Sequence, residues 1–159
     1  MIPGLPPFNN ADLILPRLWL GNAKAALDED FLRQKGIQVV FNCTKDLPFH
    51  PSMKRRYRVP VDDNLEREEI RNMEHWSFEI LYKLLNEYKD GRTILVHCAA
   101  GMSRSPTLVI AYLMIENRWS FEEAYNFVKK KRPLTEPNIG FVKQLKNLEY
   151  KLKMYNKLL

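Results

Sequence analysis

Apolar residues recur along this chain in two rhythms. IQVVFNC (37–43) and TILVHC (93–98) are unbroken and β-branched, as expected of strands buried on both faces. ADLILPRLWLGN (11–22) holds two shorter runs hinged at Pro16 and stopped at Gly21, which predicts a strand pair at a sheet edge. YRVPV (57–61) predicts a brief further strand, ended by Asp62-Asp63-Asn64. Elsewhere the rhythm is helical. From about 67 to 89, Ile70, Met73, Trp76, Phe78, Ile80, Leu81, Leu84, Leu85 and Tyr88 recur near the 3.6 period, and Asp90-Gly91 closes the helix. SPTLVIAYLMIENR (105–118) is apolar almost all round, as a central buried helix should be, with Pro106 in its first turn. Ser120 and Glu123 make a capping-box start for the helix that follows, and a last helix begins near Pro137. KAALDEDFLRQK (24–35) predicts short helical pieces, and 44–56, with Pro48, Pro51 and a basic end, predicts a surface loop. Strands alternating with helices predict an α/β domain: a central mixed, mainly parallel sheet of about five strands, flanked by helices. The expected organisation is a flexible N-terminal arm at 1–10 and a single domain over 11–159.

Composition narrows the class. Of 159 residues, 45% are hydrophobic and 28% charged, with only Cys43 and Cys98 as cysteines. That excludes a disulfide scaffold and predicts a reducing compartment, the cytoplasm, with the nucleus as a further location. The N-terminal MIPGLPPFNN lacks the features of a secretory signal, and no apolar run reaches membrane-spanning length. The net charge of +6 favours anionic partners without choosing among them.

The chemistry is concentrated in LVHCAAGMSRSP (95–106). A strand delivers Cys98 to the sheet edge, and the chain turns at once into a helix. In such a turn the backbone N–H groups of Ala99, Ala100, Gly101, Met102, Ser103 and Arg104 can converge on one anion, reinforced by the helix N-terminus. The small residues keep Cβ bulk away from a tetrahedral oxyanion, Gly101 permits unusual dihedrals, and Arg104 supplies a fork for two phosphate oxygens. The same field favours a thiolate at Cys98. The chemistry expected is nucleophilic phosphoryl transfer. His97 should point to the opposite face of the strand and hold the loop by hydrogen bonding. Histidine spacing offers no metal site, and the nucleotide-binding glycine patterns are missing, so neither metal nor cofactor is expected.

HCAAGMSRS resembles the signature loop of the cysteine-dependent protein tyrosine phosphatases, specifically the small dual-specificity phosphatases. ILPRLWLGNAKAA, VVFNCTKDLP, VPVDDN, SRSPTLVIAYLM and RPLTEPNIGF resemble further family segments, so the likeness runs from about residue 12 to 150. It implies a protein-tyrosine-phosphatase-like fold and a phosphorylated protein substrate, processed through a phosphocysteine intermediate. It places the general acid on Asp63, with Asp62 at a variable position, and gives Ser105 the task of stabilising the departing cysteine. Asn138 matches a loop-supporting asparagine, and Cys43 a cysteine that in some relatives forms a reversible disulfide with the nucleophile. Phosphoserine and phosphothreonine are expected alongside phosphotyrosine.

Three other functions compete. RNA 5′-triphosphatases of the superfamily usually end the loop in Arg-Thr, so Arg104-Ser105 argues against nucleic acid. Phosphoinositide phosphatases often carry lysines in the loop, and none is present here. A phosphoprotein-binding module would typically have lost the cysteine or the arginine. The clusters Arg55-Arg56-Arg58 and Lys129-Lys130-Lys131-Arg132 read as solvated charge or as a grip on a second phosphate. The final helix, with its stripe of Phe141, Leu145, Leu148, Leu152 and Tyr155, is a candidate homodimer surface.

Overall fold

The structure is a computed structural model that describes residues 8–158, the side chains of Trp76, Ser77, Lys157 and Leu158 excepted; residues 1–7 of the expected arm lie outside the described residues. The elements are β1 (Ala11–Leu15), β2 (Leu18–Gly21), α1 (Ala23–Ala26), α2 (Glu29–Gln34), β3 (Val39–Asn42), β4 (Arg55–Arg58), α3 (Arg67–Lys89), β5 (Ile94–His97), α4 (Arg104–Asn117), α5 (Phe121–Lys131) and α6 (Ile139–Leu158). One five-stranded sheet runs in the order β1-β2-β5-β3-β4. The first pair is antiparallel and the others are parallel, so the mixed sheet expected from the alternation is what forms.

Period-two alternation assigns each strand side chain to one of two cores. Leu18, Leu20, Val39, Phe41, Ile94 and Val96 face the large core built with α3–α6. Trp19, Val40 and Leu95 face a smaller one completed by Ala26, Leu32 and Ile37. Both faces are covered, so β3 and β5 are buried at every position and read as unbroken apolar runs. Helix α4 passes through the centre of the large core, buried from Ser105 through Met114. Its all-round apolarity follows from neighbours on every side: α3, α5, α6, β2 and β5.

Local chemistry sets the boundaries. Asn22 caps α1 and Asp28 caps α2, which divides the 24–35 segment into two short helices. Ser120 accepts the Glu123 N–H and starts α5 where the capping pattern places it. The fourth strand begins two residues earlier than expected and ends three earlier, at 55–58. Pro60 has no N–H to continue the ladder, although the Val59 N–H still reaches the Asn42 carbonyl at 2.8 Å. Within α3, Phe78 departs from the expected apolar face and is 58% exposed. The α6 stripe packs on the core through Phe141, Leu145, Leu148 and Leu152, whereas Tyr155 stays exposed.

Candidate active site

Strand β5 occupies the middle of the sheet, and its carboxyl end opens into the 98–103 loop before α4 begins at Arg104. In an open α/β sheet this is where ligand crevices form. The loop's shape follows from its carbonyl partners. Ala99 O accepts the Ala23 N–H at 3.0 Å and Met102 O accepts the Glu136 N–H at 2.7 Å. Between them, Arg132 donates from Nε to Gly101 O at 2.8 Å and from Nη2 to Ala100 O at 3.3 Å. The carbonyls of residues 99, 100, 101 and 102 are therefore all tied to surrounding protein. In a trans peptide the N–H points opposite to its C=O. The N–H groups of residues 100 to 103 are thus turned the other way, and none of them donates to another described residue. Successive inward N–H groups form an anion-binding concavity.

Gly101 has φ +67, the unusual dihedral expected of it. The reason it must be glycine differs from the expectation that bulk is kept from the oxyanion. An added Cβ would lie 2.5 Å from Gly21 O and 2.6 Å from the Arg132 Nη2, on the protein side of the loop. Gly101 is required by the close approach of β2 and the Arg132 side chain.

Cys98 is 2% exposed, and its Sγ lies 3.1 Å from the Ser105 Oγ. Ser105 is not the helix cap: Ser103 holds that position, and Ser105 sits fully buried in the first turn. His97 falls on the opposite strand face from Val96, with its Nδ1 3.2 Å from the Cys98 carbonyl. Burial lowers its pKa from 6.5 to about 4, so at neutral pH it is an uncharged ring that contacts the loop. Cys43 follows β3 as Cys98 follows β5. Asn42 pairs with His97, and the Cys43 N–H reaches the His97 carbonyl at 2.8 Å. Burial, and then the neighbouring Cys98, push the Cys43 thiol well above its ordinary pKa.

Arg104 leans across the loop and donates from Nη1 to Val61 O at 3.0 Å, while its buried Nε has no partner among the described residues. The segment after Val61 carries both candidate acids, and their surroundings differ. Asp62 pairs with Lys45 at 3.3 Å, and its N–H donates to the buried Glu69 at 2.8 Å. Asp63 is exposed and accepts the Asn138 Nδ2–H at 2.9 Å. Asn138 touches everything nearby: its N–H donates to Ser103 Oγ, its amide also reaches Asn64 O, and its Oδ1 caps α6 by accepting the Phe141 N–H. The structure thus gathers Cys98, Arg104, Ser105, Asp63 and Asn138 around one loop.

Two residues of this assembly have no counterpart in the expectations. The sequence reads Arg132 only as part of a basic cluster, either solvated or gripping a second phosphate, yet it is 1% exposed and ion-paired with Asp12 at 2.8 Å. Asn42 is buried and shapes the segment after β3, accepting from Thr44 and donating to Leu47 O. The other basic cluster is also engaged within the chain. Arg55 pairs with Glu87 at 2.7 Å, and Arg58 donates to Thr44 O and Leu47 O.

Comparison with known proteins agrees with this geometry. The family model for the dual specificity phosphatase catalytic domain matches residues 18–151. Human dual specificity protein phosphatase 4 is 39% identical over 138 residues, 86% of this chain and 34% of that protein. The crystal structure of human DUSP28 superposes with a TM-score of 0.80 at 31% identity, covering 94% of this chain and 97% of that one. Human tyrosine phosphatase-like serine/threonine/tyrosine-interacting protein follows at TM-score 0.75 and 27% identity, covering 89% and 97%. The chain belongs to the dual specificity phosphatase family, with the α/β fold of the protein tyrosine phosphatases. It spans about a third of the length of dual specificity protein phosphatase 4 from human, rat and mouse.

Proposed function

We propose that this chain is a cysteine-dependent protein phosphatase acting on phosphotyrosine and on phosphoserine and phosphothreonine, with Cys98 as nucleophile. The observation that carries the proposal is the Cys98 sulfur beside Ser105, at the root of a loop whose carbonyls of residues 99–102 are all tied outward. The phosphoryl oxygens lie against the inward N–H groups and the Arg104 guanidinium. The Cys98 thiolate attacks phosphorus, and the P–O bond to the substrate breaks as Asp63 gives its proton to the leaving oxygen. A water then attacks the phosphocysteine and passes its proton to the Asp63 carboxylate. The P–S bond breaks, and the Ser105 hydroxyl stabilises the departing thiolate. Arg104 also ties the loop to the acid segment through Val61 O. Asn138 supports the acid, and once a peroxide has oxidised Cys98 to the sulfenic acid, the Cys43 thiol attacks its sulfur, expels water and closes a disulfide.

A phosphorylated protein is favoured over RNA by the match to the dual specificity phosphatase catalytic domain over residues 18–151 and by relatives named protein phosphatases. The test is hydrolysis of aryl phosphates, phosphopeptides and RNA 5′-triphosphate by the wild type, Cys98→Ser and Asp63→Asn. Cys98→Ser should abolish turnover. Asp63→Asn should lose about 10²-fold or more on phenyl phosphate and far less on an aryl phosphate whose leaving group needs no proton. Unimpaired turnover in Cys98→Ser would overturn the proposal.

A further inference from the structure

Arg132 is a fully buried cation, and its position is unlike that of any other basic residue among those described. Its guanidinium has acceptors on two separate parts of the chain. Toward the N-terminal segment it donates from Nη1 to Asp12 Oδ2 at 2.8 Å and to Asn9 O at 2.9 Å. Toward the phosphate loop it donates to Ala100 O and Gly101 O. Burying this charge demands a compensating carboxylate and filled donors, and Asp12 with the three carbonyls supplies both.

Peptide geometry ties the arginine to the chemistry. The Ala100 carbonyl shares its peptide plane with the Gly101 N–H, and the Gly101 carbonyl shares its plane with the Met102 N–H. Holding both carbonyls on Arg132 therefore fixes the direction of two donors in the middle of the cradle. The flanking peptides are held by Ala23 and Glu136, which are backbone donors that no side-chain substitution removes. Without the arginine, the two middle peptides lose their outward anchors and can rotate, because Gly101 tolerates many conformations.

We infer that Arg132, set by Asp12, is a positioning residue that aims the Gly101 and Met102 N–H groups and thereby sets the loop's oxyanion affinity and the reactivity of Cys98. The inference rests on the assignment of 98–104 as an oxyanion cradle. The pair also makes the 9–12 segment a structural neighbour of the cradle, through one guanidinium.

The experiment reads the thiol directly, so that it does not depend on turnover. Alkylation of Cys98 by iodoacetamide at one fixed pH is followed in time by mass spectrometry, with and without vanadate, in the wild type, Arg132→Met, Arg132→Lys, Asp12→Asn and Lys130→Met. Thermal melts establish the folded fraction. The expected result for folded Arg132→Met is vanadate protection about tenfold weaker, with slower alkylation at the same pH. Arg132→Lys should fall between, since it keeps the charge but lacks the planar fork whose separate nitrogens reach the two carbonyls. Asp12→Asn should move both readouts in the same direction, and it decides the matter if Arg132→Met does not fold. Lys130→Met removes the same charge from an exposed site and should match the wild type. Folded variants with a lower melting temperature but unchanged vanadate protection and alkylation rate would overturn the inference, leaving Arg132 a stabilising residue only. Vanadate failing to protect wild-type Cys98 would instead overturn the cradle itself.

Discussion

Asn138 performs two tasks with two different atoms, and one pair of substitutions separates them. Its Oδ1 caps α6 at Phe141, while its Nδ2 donates to Asp63 at 2.9 Å. Asn138→Ala removes both. Loss of the cap should destabilise the fold by about 1 kcal/mol. Loss of the donor frees an exposed carboxylate and, at surface strength, is worth about 1 kcal/mol of acid placement, or about fivefold in rate. Asn138→Asp keeps an oxygen that caps as well as asparagine and suits the helix N-terminus. It replaces the donor with a second carboxylate, which opposes the negative charge Asp63 acquires as its proton leaves and, near water, adds about 1 kcal/mol to that step. The expected outcome is a crossing. In urea melts Asn138→Asp stays close to wild type and Asn138→Ala does not. On phenyl phosphate, Asn138→Asp falls further, about thirtyfold from the summed 2 kcal/mol. An electron-poor aryl phosphate should hide most of that loss. Equal stability losses in the two variants, or full phenyl phosphate turnover by Asn138→Asp, would refute the division of labour.

Gly101→Ala should lose about 3 kcal/mol in urea melts, from the left-handed dihedral and a Cβ forced against Gly21 O and Arg132. Stability at wild-type level would show that the loop can move aside. Ser105→Ala should leave formation of the phosphocysteine intact and slow its hydrolysis, so that rapid-quench mass spectrometry finds a phosphorylated Cys98 peptide. A wild-type steady state without accumulation would remove Ser105 from the second step. His97 binds a proton near pH 6.5 when unfolded but only near pH 4 when folded. Wild-type stability should therefore fall as pH drops through that window, and His97→Gln should lack up to about 3 kcal/mol of the fall. Parallel stability curves for the two proteins between pH 7 and 4 would exclude a neutral, buried His97.

Much of this arrangement is legible in the sequence because it is local. Strands buried on both faces leave unbroken β-branched runs, and a helix packed on every side leaves the apolar stretch that forms α4. The Cys98-to-Arg104 spacing describes a turn between two such elements, so the loop can be read without its surroundings. Arg132 is hidden for the opposite reason. It follows three lysines, and only the fold brings it to Asp12, 120 residues away in the chain. Gly101 stands out in the sequence, but the atoms that forbid its Cβ belong to β2 and to Arg132. The strand at 55–58 is misplaced by pattern alone because three of its four residues are arginines, held by Glu87 and by carbonyls of the segment after β3 that lie far off in the chain. Asp63 is separated from Asp62 in the sequence by family likeness alone. The structure adds that Asp62 is engaged by Lys45, whereas Asp63 meets only a neutral amide among the partners described.

The outward-tied carbonyls carry a thermodynamic consequence. Each fixed peptide leaves an N–H with no acceptor among the described residues, so folding orders the loop without satisfying its donors internally. On the proposed function, an oxyanion that satisfied them would bind the folded chain and would find no such site on the unfolded one. Fold stability and phosphate concentration are then linked variables: at one hundred times its dissociation constant, a bound oxyanion adds about 2.7 kcal/mol to unfolding. The phosphate group of a substrate is in this sense a transient part of the fold, and the melting temperature is itself a binding assay.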